Sequence, residues 1–266
     1  MVRRFRGAAM AQRQSHSFCQ VGCCRMDART QRHFMNPSEQ RKDQRIITAV
    51  MMVTTAMGAL DAITLLYLKV FTGYMTATLI LSAIHLFSSH SLLIPGMSAI
   101  GSYVGGAMLG GYLVRREQSR RRTIADILLA VGALVIAAAL VWSMRLDISY
   151  YATLVMLAFS MGLQTSATRY AQVADLTVPA ATGPLHGLAH DNPLVGGSAK
   201  AVWRRIMVIG CLFGGAILGT LAARVSVTMA VIMVGMTIAS TGVLLYLPEH
   251  PLLSWIERVV AGPHLR

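Results

Sequence analysis

Long runs almost free of charge alternate with short polar runs along this chain, and the alternation predicts its elements. Apolar segments occupy residues 46–68, 73–90, 94–114, 124–144, 149–170, 178–190, 203–223 and 226–247. Windows such as 46–68 and 206–223 hold roughly 18 or more nearly uncharged residues, enough for a helix to cross a hydrocarbon core of about 30 Å. The second and sixth segments differ from the rest. They are short, they are interrupted by Gly73 or by Pro179, Gly183 and Pro184, and they carry His85 or His186. Such segments predict half-helices that enter a membrane and turn back. The expected fold is therefore an all-α polytopic membrane protein with six transmembrane helices plus two re-entrant half-helices.

Composition agrees with that class. The chain is 55% hydrophobic and only 13% charged, with a mean hydropathy of +0.55, where a soluble domain carries about 25% charged residues. The formal charge of +13 raises the question of nucleic acid, and its distribution answers it. Ten of the 24 Lys and Arg lie before residue 46, five in RREQSRRR at 115–122, and three in KAVWRR at 200–205. None of these segments interleaves aromatics or carries a recognisable reading module, so no nucleic-acid partner is expected. Basic loops between apolar spans instead mark the cytoplasmic side, where they meet anionic lipid headgroups. Eight crossings would turn the five-arginine loop outward. Six crossings place both termini, 115–122 and 200–205 inside and leave Lys69, Arg145 and Arg224 outside, so charge favours six.

The organisation follows. Residues 1–45 are polar and basic and read as a disordered cytoplasmic tail, without the apolar core of a signal peptide. Translation starting at Met35 is an alternative to Met1. His16, Cys19, Cys23 and Cys24 lie close together in the tail, but their spacing fits no common zinc framework. Residues 46–247 form the transmembrane domain, and 248–266 a short cytoplasmic tail. Oligomeric state is not legible.

Inside the membrane domain the sequence repeats. GGAMLG at 105–110 recurs as GGAILG at 214–219, an offset of 109. Met57 and Gly58 correspond to Met161 and Gly162, and Thr64 to Thr168, at 104; Thr76, Leu79 and Ala83 correspond to Thr182, Leu185 and Ala189 at 106. Repeat one covers about 46–144 and repeat two about 149–247. Three crossings per half is an odd number, so the halves are expected to lie in opposite orientations, an inverted repeat as in many secondary transporters. Gly105, Gly106 and Gly110, with Gly210, Gly214, Gly215 and Gly219, supply small-residue faces for close helix packing.

The broken segments and the buried polar residues carry the candidate chemistry. A backbone break inside hydrocarbon survives only where protein or a wet cavity covers it. Thr76 and Thr182 stand where each half-helix should begin and are expected N-caps, with Pro184 tolerated in the first turn. Two half-helix N-termini near the midplane would present N–H groups to an anion or a polar solute. Asp61 is the deepest ionisable residue, roughly fifteen residues into the first span. A carboxylate there costs about 2.5 to 3.5 kcal/mol on insertion scales, so it faces the bundle interior. Its repeat counterpart is Thr165, beside Gln164 and Ser166. Arg169 is an interfacial residue of the snorkelling type.

Competing chemistries are poorly served. His186 and His190 are four apart on one helix face, too few ligands for a catalytic metal. No nucleophile elbow, phosphate loop or paired inward carboxylates appear, so neither an enzyme nor a cofactor is expected. The 17 methionines scatter as filler of irregular apolar space.

Gly58-x-x-Asp61-Ala62, Met75-Thr76, Met161-Gly162-x-Gln164 with Arg169, and Thr182-Gly183 together resemble the YoaK family of bacterial integral membrane proteins, a domain of unknown function, over about residues 46–247. Family members read Thr-Gly-Asn after the first span and Gln-Asn-Ala in the fifth. Here the two asparagine positions carry Thr78 and Thr165. The resemblance implies a multi-pass protein of the bacterial inner membrane. The expectation for function is a small permease for a polar or anionic solute held by Asp61, Thr76, Gln164, Thr165, Thr182 and Gly183. The alternative is a non-transporting membrane scaffold.

Overall fold

The computed structural model describes residues 37–88, 91–116, 119–146, 148–171, 182–190 and 199–246. The chain divides between Lys42 and Asp43, and the unit that begins at Asp43 is the subject below. The tail cysteines and the 248–266 segment lie outside the described residues. Every regular element described is an α-helix: α1 Pro37–Leu68, α2 Met75–Leu86, α3 Leu93–Arg116, α4 Arg120–Ser143, α5 Ser149–Tyr170, α6 Thr182–His190, α7 Ala199–Val225 and α8 Val227–Tyr246. The expected segments are all present, and α1 starts earlier than residue 46. Pro37 opens it, where a missing N–H costs nothing and the fixed φ suits a helix.

Among the described residues five helices are long and apolar enough to cross a membrane, within α1, α3, α4, α7 and α8. This is the pattern of a multi-pass membrane protein. The sixth expected span, α5, has 22 residues, a sufficient length, but it falls outside that group. The reason is its polar content: Ser149, Thr153, Ser160, Gln164 and Thr165 lie along it, and all five are buried. Hydropathy under-reports a helix whose polar side chains face protein.

Burial ranks the helices. In α1, 72% of the apolar span is buried, against 28% in α3 and 22% in α7. The most enclosed side chains include Leu60 and Ile63 of α1, Leu154, Leu157 and Met161 of α5, Val131 of α4 and Ile238 of α8. The core thus runs between α1, α4, α5 and α8. Outside it α3 packs on α5, α2 on α3, and α6 on α7.

Glycines set the closest approaches. Gly106 of α3 lies against the carbonyl of Phe159 on α5, Gly162 of α5 against that of Tyr103, and Gly110 against Leu163 and Ser166. On the other side Gly215 of α7 lies against the carbonyl of Thr55 on α1, Gly58 of α1 against that of Leu212, and Gly219 against Ala59. Adding 104 to a residue of α1 and subtracting 109 from one of α7 turns each contact of the second set into one of the first. Where lipid competes for apolar surface, backbone-to-backbone packing of this kind supplies the attraction. Of the glycines singled out in the sequence, Gly106, Gly110, Gly215 and Gly219 lie against a neighbouring helix's backbone. Gly105 does not, its nearest neighbour being the Phe159 ring at ordinary contact distance, and nor do Gly210 and Gly214, which face open space. They lie on the turn of the helix that points away from the bundle.

Two helix ends are sharp. Lys69 follows α1 with φ 60°, and Arg145 follows α4 with φ 51°, left-handed conformations that cost a side-chain-bearing residue about 1–2 kcal/mol. The Leu68 carbonyl, left over at the end of α1, accepts a hydrogen bond from Tyr150 Oη at 2.8 Å. The chain then runs through the break at 69–74 into α2.

Candidate functional site

Asp61 is 2% exposed, and its two oxygens have different surroundings. Oδ1 accepts from the backbone N–H of Gly73 at 2.8 Å, the backbone N–H of Thr72 at 3.2 Å and the Thr72 hydroxyl at 3.4 Å. The carboxylate thereby satisfies donors that the break would otherwise leave bare. Oδ2 is buried and has no hydrogen-bond partner among the described residues. A Cβ on Gly73 would stand 2.6 Å from Oδ2 and 2.8 Å from Met161 Cε. Only glycine leaves that space, so Oδ2 and the end of Met161 meet over the bare backbone of the break.

Met161 is the hub of the α5 contribution. Its carbonyl accepts the Thr165 hydroxyl at 2.8 Å, and Tyr103 Oη of α3 donates to Thr165 Oγ1 at 3.1 Å. Gln164, one turn after Met161 and on its face, is fully buried. Neither its Oε1 nor its Nε2 has a partner among the described residues. Native interiors leave few such atoms, and each one calls for a cause.

The structure therefore gathers Asp61, Gln164 and Thr165 around Met161. It does not bring Thr76, Thr182 and Gly183 to the same place: all three are exposed. Nor does Thr76 cap α2. The N-cap is Tyr74, with no side-chain cap hydrogen bond. The buried polar face of α2 is instead Thr78, whose hydroxyl donates to the Phe71 carbonyl at 2.7 Å, and Ser82, which donates to the Thr78 carbonyl at 2.8 Å. Helix α6 does begin at Thr182.

Sequence reasoning missed Tyr103, Thr72, Thr78 and Arg205. Arg205 counts in the sequence as part of a cytoplasmic charge cluster, yet it is buried. It donates to the Gly187 carbonyl of α6, one of the last carbonyls of a nine-residue helix and hence without an intrahelical donor. Gly187 admits it because a Cβ there would collide with the guanidinium. His186 and His190 stack with ring centroids 5.6 Å apart. Among the described residues no three His, Cys, Asp or Glu gather closely enough to hold a metal.

Two apolar hollows flank the polar centre. One, with room for about one water molecule, is lined by Ala49 and Val53 of α1, Ile124 and Leu128 of α4, Ala167 and Thr168 of α5, and Leu245 of α8. The other, likewise with room for about one water molecule, is lined by Ile63, Thr64 and Tyr67 of α1, Trp142 of α4, Thr153 and Leu157 of α5, and Val227 and Val231 of α8. They lie toward opposite ends of α1 and α5. Offsets of 104 and 103 carry one lining onto the other: Val53 to Leu157, Ile63 to Ala167, Ile124 to Val227, Trp142 to Leu245. Asp61 and Gln164 fall in the stretches of α1 and α5 that separate the hollows.

Among the described residues the polar centre matches no familiar catalytic arrangement, and comparison with known proteins gives a family only. A family profile described as protein of unknown function (DUF1275) matches residues 49–244. The chain belongs to the DUF1275 family. No curated protein and no solved structure matches it. In this DUF1275 protein the matched region takes in Asp61, Tyr103, Gln164, Thr165 and Arg205.

Proposed function

We propose that this DUF1275 protein is a small permease of the bacterial inner membrane, moving a small polar solute between the two hollows past Asp61 and Gln164. The observation that carries the reading is the pair of offset-related hollows at opposite ends of one four-helix core, with a buried carboxylate and a buried amide between them. A carrier that exposes one site alternately to two sides needs two access routes of equivalent construction, and inverted duplication supplies them.

Several contacts support the inverted repeat. The glycine contacts of α1 with α7 reproduce those of α5 with α3. At the centre, a Cβ on Gly132 of α4 would stand 2.8 Å from the Gly235 carbonyl oxygen of α8, and one on Gly235 3.0 Å from that of Gly132. Two equivalent residues that touch each other are what a local two-fold axis requires. In this reading α5 is the sixth crossing, α2 and α6 are the re-entrant half-helices, and the termini are cytoplasmic. The resemblance to YoaK proteins agrees with it. Thr76, Thr182 and Gly183 serve as mouth residues and not as the central binding groups.

Uptake of a panel of small polar solutes into liposomes containing the full chain tests the proposal. Flux above protein-free liposomes, abolished by Asp61→Asn, supports it. A membrane scaffold would show no flux with any solute.

A further inference from the structure

The unpartnered atoms of Asp61 and Gln164 have a chemistry of their own. Asp61 is 2% exposed, and what acts on it is its own burial and the Thr72 and Gly73 donors, with no cationic side chain among the described residues set against it. Those donors all engage Oδ1. Oδ2 has no hydrogen-bond partner among the described residues, nor has the Gln164 amide, which lies one helical turn from Met161, whose Cε shares the space over Gly73 with Oδ2. An ionised carboxylate with one bare oxygen in a dry interior costs several kcal/mol until a proton or a cation neutralises it.

We propose that Asp61 Oδ2 and the Gln164 carbonyl oxygen bind a monovalent alkali cation at the break between α1 and α2. Three features select that class. Both free acceptors are hard oxygens, which suit hard cations and not thiophilic metals. The site offers one negative charge, so a single positive charge neutralises it while a divalent ion would leave an excess buried charge. Gly73 places no side chain beside Oδ2, and the neighbour that shares the space is the flexible end of Met161, 2.8 Å from where a Cβ would stand. A cation here also ties the break to α5, because its ligands come from α1 and α5 while Oδ1 holds Thr72 and Gly73. The solute pathway and its coupling ion would then share one residue. This inference rests on the permease reading for its purpose, but not for its test.

The test is equilibrium binding of ²²Na⁺ to the purified full chain in detergent, with competition by Li⁺, K⁺ and choline, alongside thermal unfolding in the corresponding chlorides at equal ionic strength. The expected result is saturable ²²Na⁺ binding displaced by at least one other alkali ion and not by choline, with a matching rise in unfolding midpoint. Asp61→Asn, which keeps the Oδ1 acceptor, should lower binding at least tenfold, and Gln164→Leu several-fold. If Asp61→Asn fails to fold, Gln164→Leu carries the comparison. Midpoints identical in sodium and choline with no saturable ²²Na⁺ binding, or undiminished binding in a folded variant, would overturn the proposal. So would a midpoint that responds to pH alone, since that marks a proton site. Absent binding leaves solute flux to be judged separately, and absent flux leaves the ion site standing.

Discussion

Gly73 donates its backbone N–H to Asp61 Oδ1 at 2.8 Å, and so the acidic residue about two turns before the end of α1 is joined to the turn that opens α2. The two oxygens of one carboxylate have different surroundings. Oδ1 holds a break in the backbone together, and Oδ2 makes no hydrogen bond among the described residues.

That division separates two substitutions at one position. Asp61→Asn retains an acceptor for Thr72 and Gly73, whereas Asp61→Ala leaves both N–H groups buried without one. An unsatisfied buried donor costs about 1–3 kcal/mol. Thermal unfolding in detergent should show Asp61→Ala clearly below wild type and Asp61→Asn much closer to it. Equal midpoints for the two variants would mean that Oδ1 contributes nothing to the break.

Glycines that look alike in sequence should behave differently. Gly106→Ala and Gly215→Ala put a methyl into a neighbouring helix's carbonyl, an overpacking worth about 1–3 kcal/mol. Gly105→Ala and Gly214→Ala meet only the Phe159 ring at 3.8 Å or nothing, and should match wild type or exceed it slightly through better helix propensity. Unfolding midpoints of the four variants check both halves of the statement. The first pair should also fall by similar amounts, because Phe159 and Thr55 present the same backbone surface.

Arg205→Ala should loosen α6. The substitution removes the donor to the Gly187 carbonyl, and a hydrogen bond to a charged group is worth about 1.5–3 kcal/mol. Hydrogen exchange over residues 182–190 should accelerate while α4 and α8 stay protected. Unchanged protection of α6 would show that Arg205 does not anchor it.

Orientation is open to single-cysteine labelling after replacement of the native cysteines. With the positive-inside arrangement, a cysteine at Ser119 should react only from the cytoplasmic side and one at Arg145 only from the outside. Labelling of both from one face would remove a crossing and, with it, the opposed halves.

Much of this fold is written plainly in the chain, because a span must be apolar over its whole length and a break needs Gly or Pro. Segment bounds and the Gly106–Gly110 and Gly215–Gly219 faces follow from those two facts. The use of Asp61 does not. Periodicity tells which residue turns inward but not that its acceptor is spent on Thr72 and Gly73, eleven and twelve residues later, in an irregular stretch. Thr76 misleads for a related reason: threonine is the usual cap, but the turn held by Asp61 starts the helix at Tyr74, ahead of it. Arg205 is concealed by its neighbours, since Lys200 and Arg204 make the segment read as a charged loop. Only the facing Gly187 hints that a guanidinium is received there, and that pairing is three-dimensional. The polar side chains of α5 carry the same lesson, for they lower its hydropathy while lining the interior.

Solute flux measures the permease reading most directly. Liposomes containing the full chain, loaded with buffer and exposed to a panel of labelled small polar solutes, should accumulate at least one of them well above protein-free liposomes, and Asp61→Asn should reduce that rate at least tenfold while remaining folded. Flux equal to protein-free liposomes for every solute, or a rate untouched by Asp61→Asn, would contradict it.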